Sequence, residues 1–238
     1  MPEHENVYQN EADRYHALVS CEDYNGNLNN AIKVVIQYGA SILETGAGTG
    51  RVTAMLAPIS GGLTILDLSV PMLQKAARVT PMDSPAINGL SAGDHRFLPV
   101  PGNSYDWIVS GWSVCYLASW YRDDWKPQVN SALKEFMRVL RPDGKILLIE
   151  TLGTGELTPK PPDHLSDYLN YLDDLGFQRT WIRTDYRFAD EPTARDLTGF
   201  FFGESMLEKI DFSATPTLPE CTGLWTISRA DLRKNLPG

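Results

Sequence analysis

The stretch Ser41-Ile42-Leu43-Glu44-Thr45-Gly46-Ala47-Gly48-Thr49-Gly50-Arg51 decides how the rest of the chain is read. A short apolar run gives way to three alternating glycines and then to a helical pattern. A glycine loop between a strand and a helix is where open α/β sheets turn backbone N–H groups toward a nucleotide ligand. The dinucleotide fingerprint needs GxGxxG. Counted from Gly46, the third glycine would fall where Arg51 stands, and Gly50 comes one residue early. Glu44, two residues before the first glycine, would repel a pyrophosphate. The pattern is acidic-x-Gly-x-Gly-x-Gly.

Working outward, the chain alternates strands and helices. Residues 8–37 read as helix with one interruption at "CEDYNGN", ending near Gly39. "ASILET" is the first strand and "RVTAMLAPI" the helix after the loop. "LTILDL" follows as a strand, then "VPMLQKAARV" as a helix with Ser69 as N-cap and Pro71 in its first turn. "AINGLSAGD" holds a weaker third strand and "YDWIVSG" a fourth. "DDWKPQVNSALKEFMRVL" is a long amphipathic helix, starting at its first residues or only at Pro127, and "KILLIET" is a fifth strand after an "RPDG" turn. This order predicts a parallel sheet with right-handed crossovers. The last third reads as a Gly/Pro-rich loop, the helix "LSDYLNYLDDLG", the strand "FQRTWIRTDYRF", one helix over "EPTARDLTGFFFGESMLEKI" and a closing strand in "LPECTGLWTISRA".

Bulk composition narrows the function. The 238 residues suit one domain, or one with an elaborated cap. The net charge of -9, with no Lys/Arg cluster, argues against a nucleic-acid substrate. No run is long and apolar enough for a membrane span, and the acidic N-terminus does not read as a leader, so the expected location is cytoplasmic. Cys21, Cys115 and Cys221 are odd in number and far apart, and His4, His16, His95 and His164 lack ligand spacing, so no metal site is expected.

Four ordered motifs over residues 8–151 resemble class I S-adenosylmethionine-dependent methyltransferases of the type 11/25-like small-molecule group: the glycine loop, "LTILDLSVPMLQKA", "SAGDHRFLPVPGNSYDWIVSG" and "ALKEFMRVLRPDGKILLIE". Asp143 departs from the family's usual glycine, at a surface turn. The resemblance implies a Rossmann-like α/β fold: a seven-stranded, mostly parallel sheet with helices on both faces, its last strand antiparallel, and a helical cap. It also implies one domain over 1–238, divided into a cap (1–40), a cofactor-binding half (41–151) and a substrate-side half (152–238). S-adenosylmethionine is the implied cofactor, S-adenosylhomocysteine its product, and a small molecule the acceptor. The alternative is a sensor that binds the same cofactor without turnover. Oligomeric state stays open, a homodimer included.

The resemblance also implies site residues. Asp67 would accept from the ribose hydroxyls, or simply cap a helix. Leu68 and Met72 would flank the adenine or belong to the core, and Asp94, with His95 beside it, would accept from the adenine amino group. Gly46, Ala47, Gly48 and Gly50 would pass beneath the cofactor, and Ser110 and Gly111 end a strand facing it. Glu44 has a use beside a cationic sulfonium and amino group. Tyr8, Arg14 and Tyr15 would close over the methionine end. Trp112, Tyr116, Arg183, Tyr186 and Phe201 are candidates for the acceptor, although an Arg183–Asp185 ion pair and a plain phenylalanine core are the simpler readings. His95, Tyr116, Tyr186, Asp185 and Glu220 are candidate proton acceptors. The "SGWSVCYLASWY" segment lacks the Asn/Asp-Pro-Pro-Tyr/Phe sequence of many DNA and protein amide methyltransferases, which argues against those substrates.

Overall fold

The computed structural model describes residues 4–82 and 84–237. Strands β1 (Ala40–Thr45), β2 (Ser60–Asp67), β3 (Ile87–Ala92), β4 (Tyr105–Gly111) and β5 (Leu140–Thr154) pair in parallel in the order β3-β2-β1-β4-β5. β9 (Glu220–Ser228) runs antiparallel between β5 and β6 (Gln178–Arg183) and completes a seven-stranded sheet. A separate small sheet pairs β7 (Tyr186–Arg187) with β8 (Thr217–Leu218).

Strand alternation builds two cores. Leu43, Ile108, Ile146 and Leu148 face one side, against Phe136 of α7 (Trp125–Val139), Leu169 and Leu172 of α8 (Asp163–Asp174) and Leu232 of α10 (Arg229–Asn235). Ile42, Trp107, Val109, Leu147 and Ile149 face the other, against Leu28 and Ile32 of α3 (Asn27–Val35), Leu56 of α4 (Arg51–Leu56) and Leu73 of α5 (Val70–Val79). Each such side chain contributes about 1.5–3 kcal/mol on burial. The central strands are apolar on both faces because helices cover both.

The α5 start follows the sequence reading: Ser69 Oγ accepts from Met72 N and Pro71 lies in the first turn. Other boundaries differ. The N-terminal helix is broken twice, giving α1 (His4–Asn10), α2 (Ala12–Val19) and α3. Gly39 does not cap α3, which ends at Val35; with φ +83° its N–H reaches Ile59 O instead. A helix not expected from sequence, α6 (Cys115–Trp120), fills the segment after β4, and α7 starts at Trp125. The expected strand over 177–188 splits because Thr184 N bonds Glu220 O while Thr184 O is taken by Asp23 N, which turns the chain out of the main sheet. The expected helix over 191–210 stops as α9 (Glu191–Phe202) at Gly203, φ +91°, and a 3-10 turn covers Glu204–Lys209. β5 runs on to Thr154 and so crosses residue 151, and α10 was unforeseen.

One polar group sits deep in the first core. Glu150 is fully buried; its Oε1 accepts from Cys115 N at 3.1 Å and Tyr168 Oη at 2.9 Å, and Oε2 has no partner. Burial pushes its carboxyl up to about 7. A carboxyl raised in the folded state costs nothing below its unfolded value near 4.5. Stability is then lost as pH rises toward 7, where the unfolded chain is ionised and the folded one still holds the proton. Glu150→Gln should remove a fall on the order of 3 kcal/mol between pH 4.5 and 7. Urea denaturation of both proteins across that range should give a difference curve that climbs with pH.

Candidate active site

The site is built on the C-terminal ends of β1, β2 and β4. After Thr45 the chain passes through Gly46 (φ +73°), Gly48 (φ +57°) and Gly50 (φ +90°), a left-handed region that disfavours side chains. Gly46 is also required by packing: a Cβ there would stand 1.9 Å from Ser113 Oγ. Gly46 N and Ala47 N both donate to Leu66 O, folding the loop back over β2. Gly48 N donates to Asp67 Oδ2 and Ser69 N to Asp67 Oδ1, each at 2.7 Å. Burial raises the Asp67 carboxyl.

Glu44 ends up buried beside this loop. Thr53 Oγ1 donates to its Oε2 at 2.6 Å, and no ion-pair partner reaches it among the described residues. Burial, with Asp67 adding to it, pushes the carboxyl up to about 8. A buried carboxyl without a counter-charge, facing a cavity, is suited to a cationic ligand group.

That cavity, about 120 Å³, is lined by Glu44, Gly46, Ala47, Gly48, Asp67, Leu68, Met72, Asp94, His95, Gly111, Trp112 and Tyr116, with Tyr8 and Tyr15 closing over it. A second cavity of about 700 Å³ shares Tyr8, Tyr15, Arg51, Trp112 and Tyr116 as a common wall and extends to Tyr186, Phe201 and Glu220. Gly50 stands just behind the loop as the residue before α4. The segment matching the resemblance and the cap therefore meet over one pair of cavities.

Several sequence expectations change. Arg14 is turned away: it pairs with Asp196 of α9 and lies over the Phe200 ring. Ser110 is buried beneath the site, with Oγ unpartnered, and lines neither cavity. Arg183 pairs with Asp185, outside both cavities, as the simpler reading had it. Asp94 lines the smaller cavity, but both its oxygens are taken by Arg96, whose hydrogen bonds hold it below the usual carboxylate range.

Three of the candidate proton acceptors, His95, Tyr116 and Tyr186, are not free. His95 is wedged between Thr45 Oγ1 (2.5 Å) and Ser113 Oγ (2.7 Å), and burial lowers it to about 4, so it is neutral and spoken for. Tyr116 bonds Tyr8 Oη, and burial raises it well above 10. Tyr186 donates to Glu22 Oε2 at 2.8 Å and is raised likewise by burial. Both phenols stay protonated at neutral pH.

The sequence reading missed Arg51 and Glu22. Arg51, buried, pairs with Glu22 and lies 3.8 Å over the Trp112 ring. Glu22 also accepts from Thr184 Oγ1 and Tyr186 Oη. Arg51 directly follows Gly50, which was a signal for a residue at the loop. Glu22 lay in a segment read only as a helix break, with nothing local to mark it.

Residues 43–148 match a family model described as "Methyltransferase domain". The chain is 27% identical over 151 residues to a demethylmenaquinone methyltransferase of Bacillus licheniformis, an alignment covering 62% of this chain and 60% of that one. It is 31% identical over 118 residues to a malonyl-[acyl-carrier protein] O-methyltransferase of Salmonella typhimurium, covering 50% and 41%. The chain thus spans about half the length of these relatives. Its fold is similar to a SAM-dependent methyltransferase from Aquifex aeolicus, with TM-score 0.55 and 16% identity over 90% of this chain and 97% of that one.

Charge pairing separates the two arginines. Arg51→Gln leaves Glu22 buried without its cation, and urea denaturation should show a loss of about 3–5 kcal/mol. Arg14→Ala breaks an exposed pair and should cost under about 1 kcal/mol.

Proposed function

We propose that the protein transfers a methyl group from S-adenosylmethionine to a small-molecule acceptor. The observation that carries this is the pair of acidic side chains flanking the glycine loop: half-buried Asp67, whose two oxygens lie at the end of β2, and buried Glu44, which has no counter-ion among the described residues. The cofactor offers ribose hydroxyls to the first and a positively charged amino acid end to the second. A dinucleotide would bring phosphates to both. In this reading Leu68 and Met72 hold the adenine, and Tyr8 and Tyr15 cover the methionine end.

When bound, the cofactor supplies a methyl already activated by its positive sulfur. The protein then has to align the acceptor and keep water out. Gly111, Trp112 and Tyr116 stand at the wall between the two cavities, where the acceptor would meet that methyl. His95 acts here as a positioning residue, holding Ser113 and Thr45 in place across the loop. Among the described residues no side chain is arranged as a strong base at this wall, which suits an acceptor that is itself nucleophilic.

S-adenosylhomocysteine should raise the thermal midpoint of the protein, as a ligand of the native state does, and NAD should not. By calorimetry, Asp67→Asn and Glu44→Gln should each weaken S-adenosylhomocysteine binding by about 10–100-fold, the worth of a charge-assisted hydrogen bond. Radiolabelled methyl should pass from S-adenosylmethionine into small molecules of a cell extract. Binding without any labelled product would leave a sensor, not an enzyme.

A further inference from the structure

The larger cavity is not uniformly apolar. Its walls include the rings of His4, Tyr15, Trp112, Tyr116 and Phe201, and one end carries Glu22, Arg51, Tyr186 and Glu220. Glu220 opens β9 and is 2% exposed. Its Oε1 accepts from Thr151 Oγ1 at 2.7 Å, while Oε2 is buried without a hydrogen-bond partner. A buried carboxylate oxygen left unpaired is costly to the fold, and one at the wall of an open cavity is explained by a ligand donor.

The charges around it point to the kind of donor. Arg51 is committed to Glu22, which also holds the Tyr186 hydroxyl and Thr184, and of the other cationic side chains lining the cavity, Arg122, Lys160 and His164, none pairs with Glu220. Asp185, behind Glu220, is matched by Arg183 and takes the Glu220 backbone N–H. Tyr15 and Tyr186 are phenols raised by burial and stay neutral. Arg51 pairs with Glu22, and among the described residues no cation pairs with the Glu220 carboxyl. The aromatic walls have ring faces that attract cations, and a volume of about 700 Å³ admits a ligand of ordinary metabolite size.

We propose that Glu220 anchors a protonated amine of the methyl acceptor, so that the acceptor is a cationic amine with a largely apolar body. This rests on the methyl-transfer reading of the adjoining cavity. Burial and the neighbouring Glu22 push the Glu220 carboxyl up to about 8. An ammonium at Oε2 would favour the ionised form, and the bound pair would then leave this end neutral overall.

The test uses matched probes: aryl-alkyl primary amines, the alcohols of the same skeletons and the corresponding carboxylic acids. Their affinities for the whole protein are measured by ligand-observed NMR, with and without saturating S-adenosylhomocysteine. The amines should bind at least tenfold more tightly than the matched alcohols, and the acids should bind worst. Glu220→Gln keeps the side-chain size and the Thr151 contact, and should cut the amine margin below twofold without changing S-adenosylhomocysteine affinity by more than twofold. Amines that bind no better than alcohols, or not at all, overturn the proposal, as does a margin that survives in Glu220→Gln. If the variant does not fold, the wild-type margin alone decides. Loss of S-adenosylhomocysteine binding by the wild type would instead refute the methyl-transfer reading, and the series without that ligand would still judge Glu220.

Discussion

The site depends on the absence of a side chain at Gly46. Because that position is bare, Ser113 packs directly against the loop, and the hydroxyl of Ser113, the ring of His95 and the hydroxyl of Thr45 form one hydrogen-bonded row. The row ties the end of β1 to the segment after β3 and to the turn after β4. That turn is itself constrained: Trp112 has φ +48° and its N–H reaches Ile149 O. Strain in a large non-glycine residue persists only where its surroundings hold it. Here the Arg51 guanidinium over the indole and the β5 carbonyl do so. Trp112 is thereby turned into the wall that both cavities share.

Charge organises the next layer out. Glu22 comes from the segment after α2, Arg51 from the start of α4, Tyr186 from β7 and Glu220 from β9. Their cluster joins four segments of the chain, and a low-dielectric setting makes each pairing consequential. The N-terminal cap is therefore more than an apolar lid. Its carboxylate fixes the arginine that flanks the cofactor loop, and Ser69 Oγ donates to Tyr8 O, holding α1 over α5. The two cavities share Arg51, which lines both.

Legibility in the sequence followed the range of the forces involved. β1, α5 and β4 were readable to the residue because each is bounded by a local signal: the glycine loop, the Ser69 cap with Pro71, the end of an apolar run. The loop, Glu44 and Asp67 were readable for the same reason. α6 was not, since its apolar residues follow a strand without a cap and its helicity comes from packing on α7 and α8. The break at Thr184 was set by a partner near residue 23, and the Arg14–Asp196 and Arg51–Glu22 pairs span 182 and 29 residues. Nothing in a local window distinguishes an arginine that will face a cavity from one that will face solvent.

The same division explains what similarity to other methyltransferases can carry. The family match ends at residue 148. Asp67, Glu44 and the glycine loop lie inside it and line the smaller cavity. Glu220, Tyr186, Phe201 and Thr151 lie beyond it, and Glu22, Tyr15 and His4 lie before it; together they build most of the larger cavity. The larger cavity has therefore to be argued from this chain's own residues, among which Glu220 keeps one carboxyl oxygen without a partner.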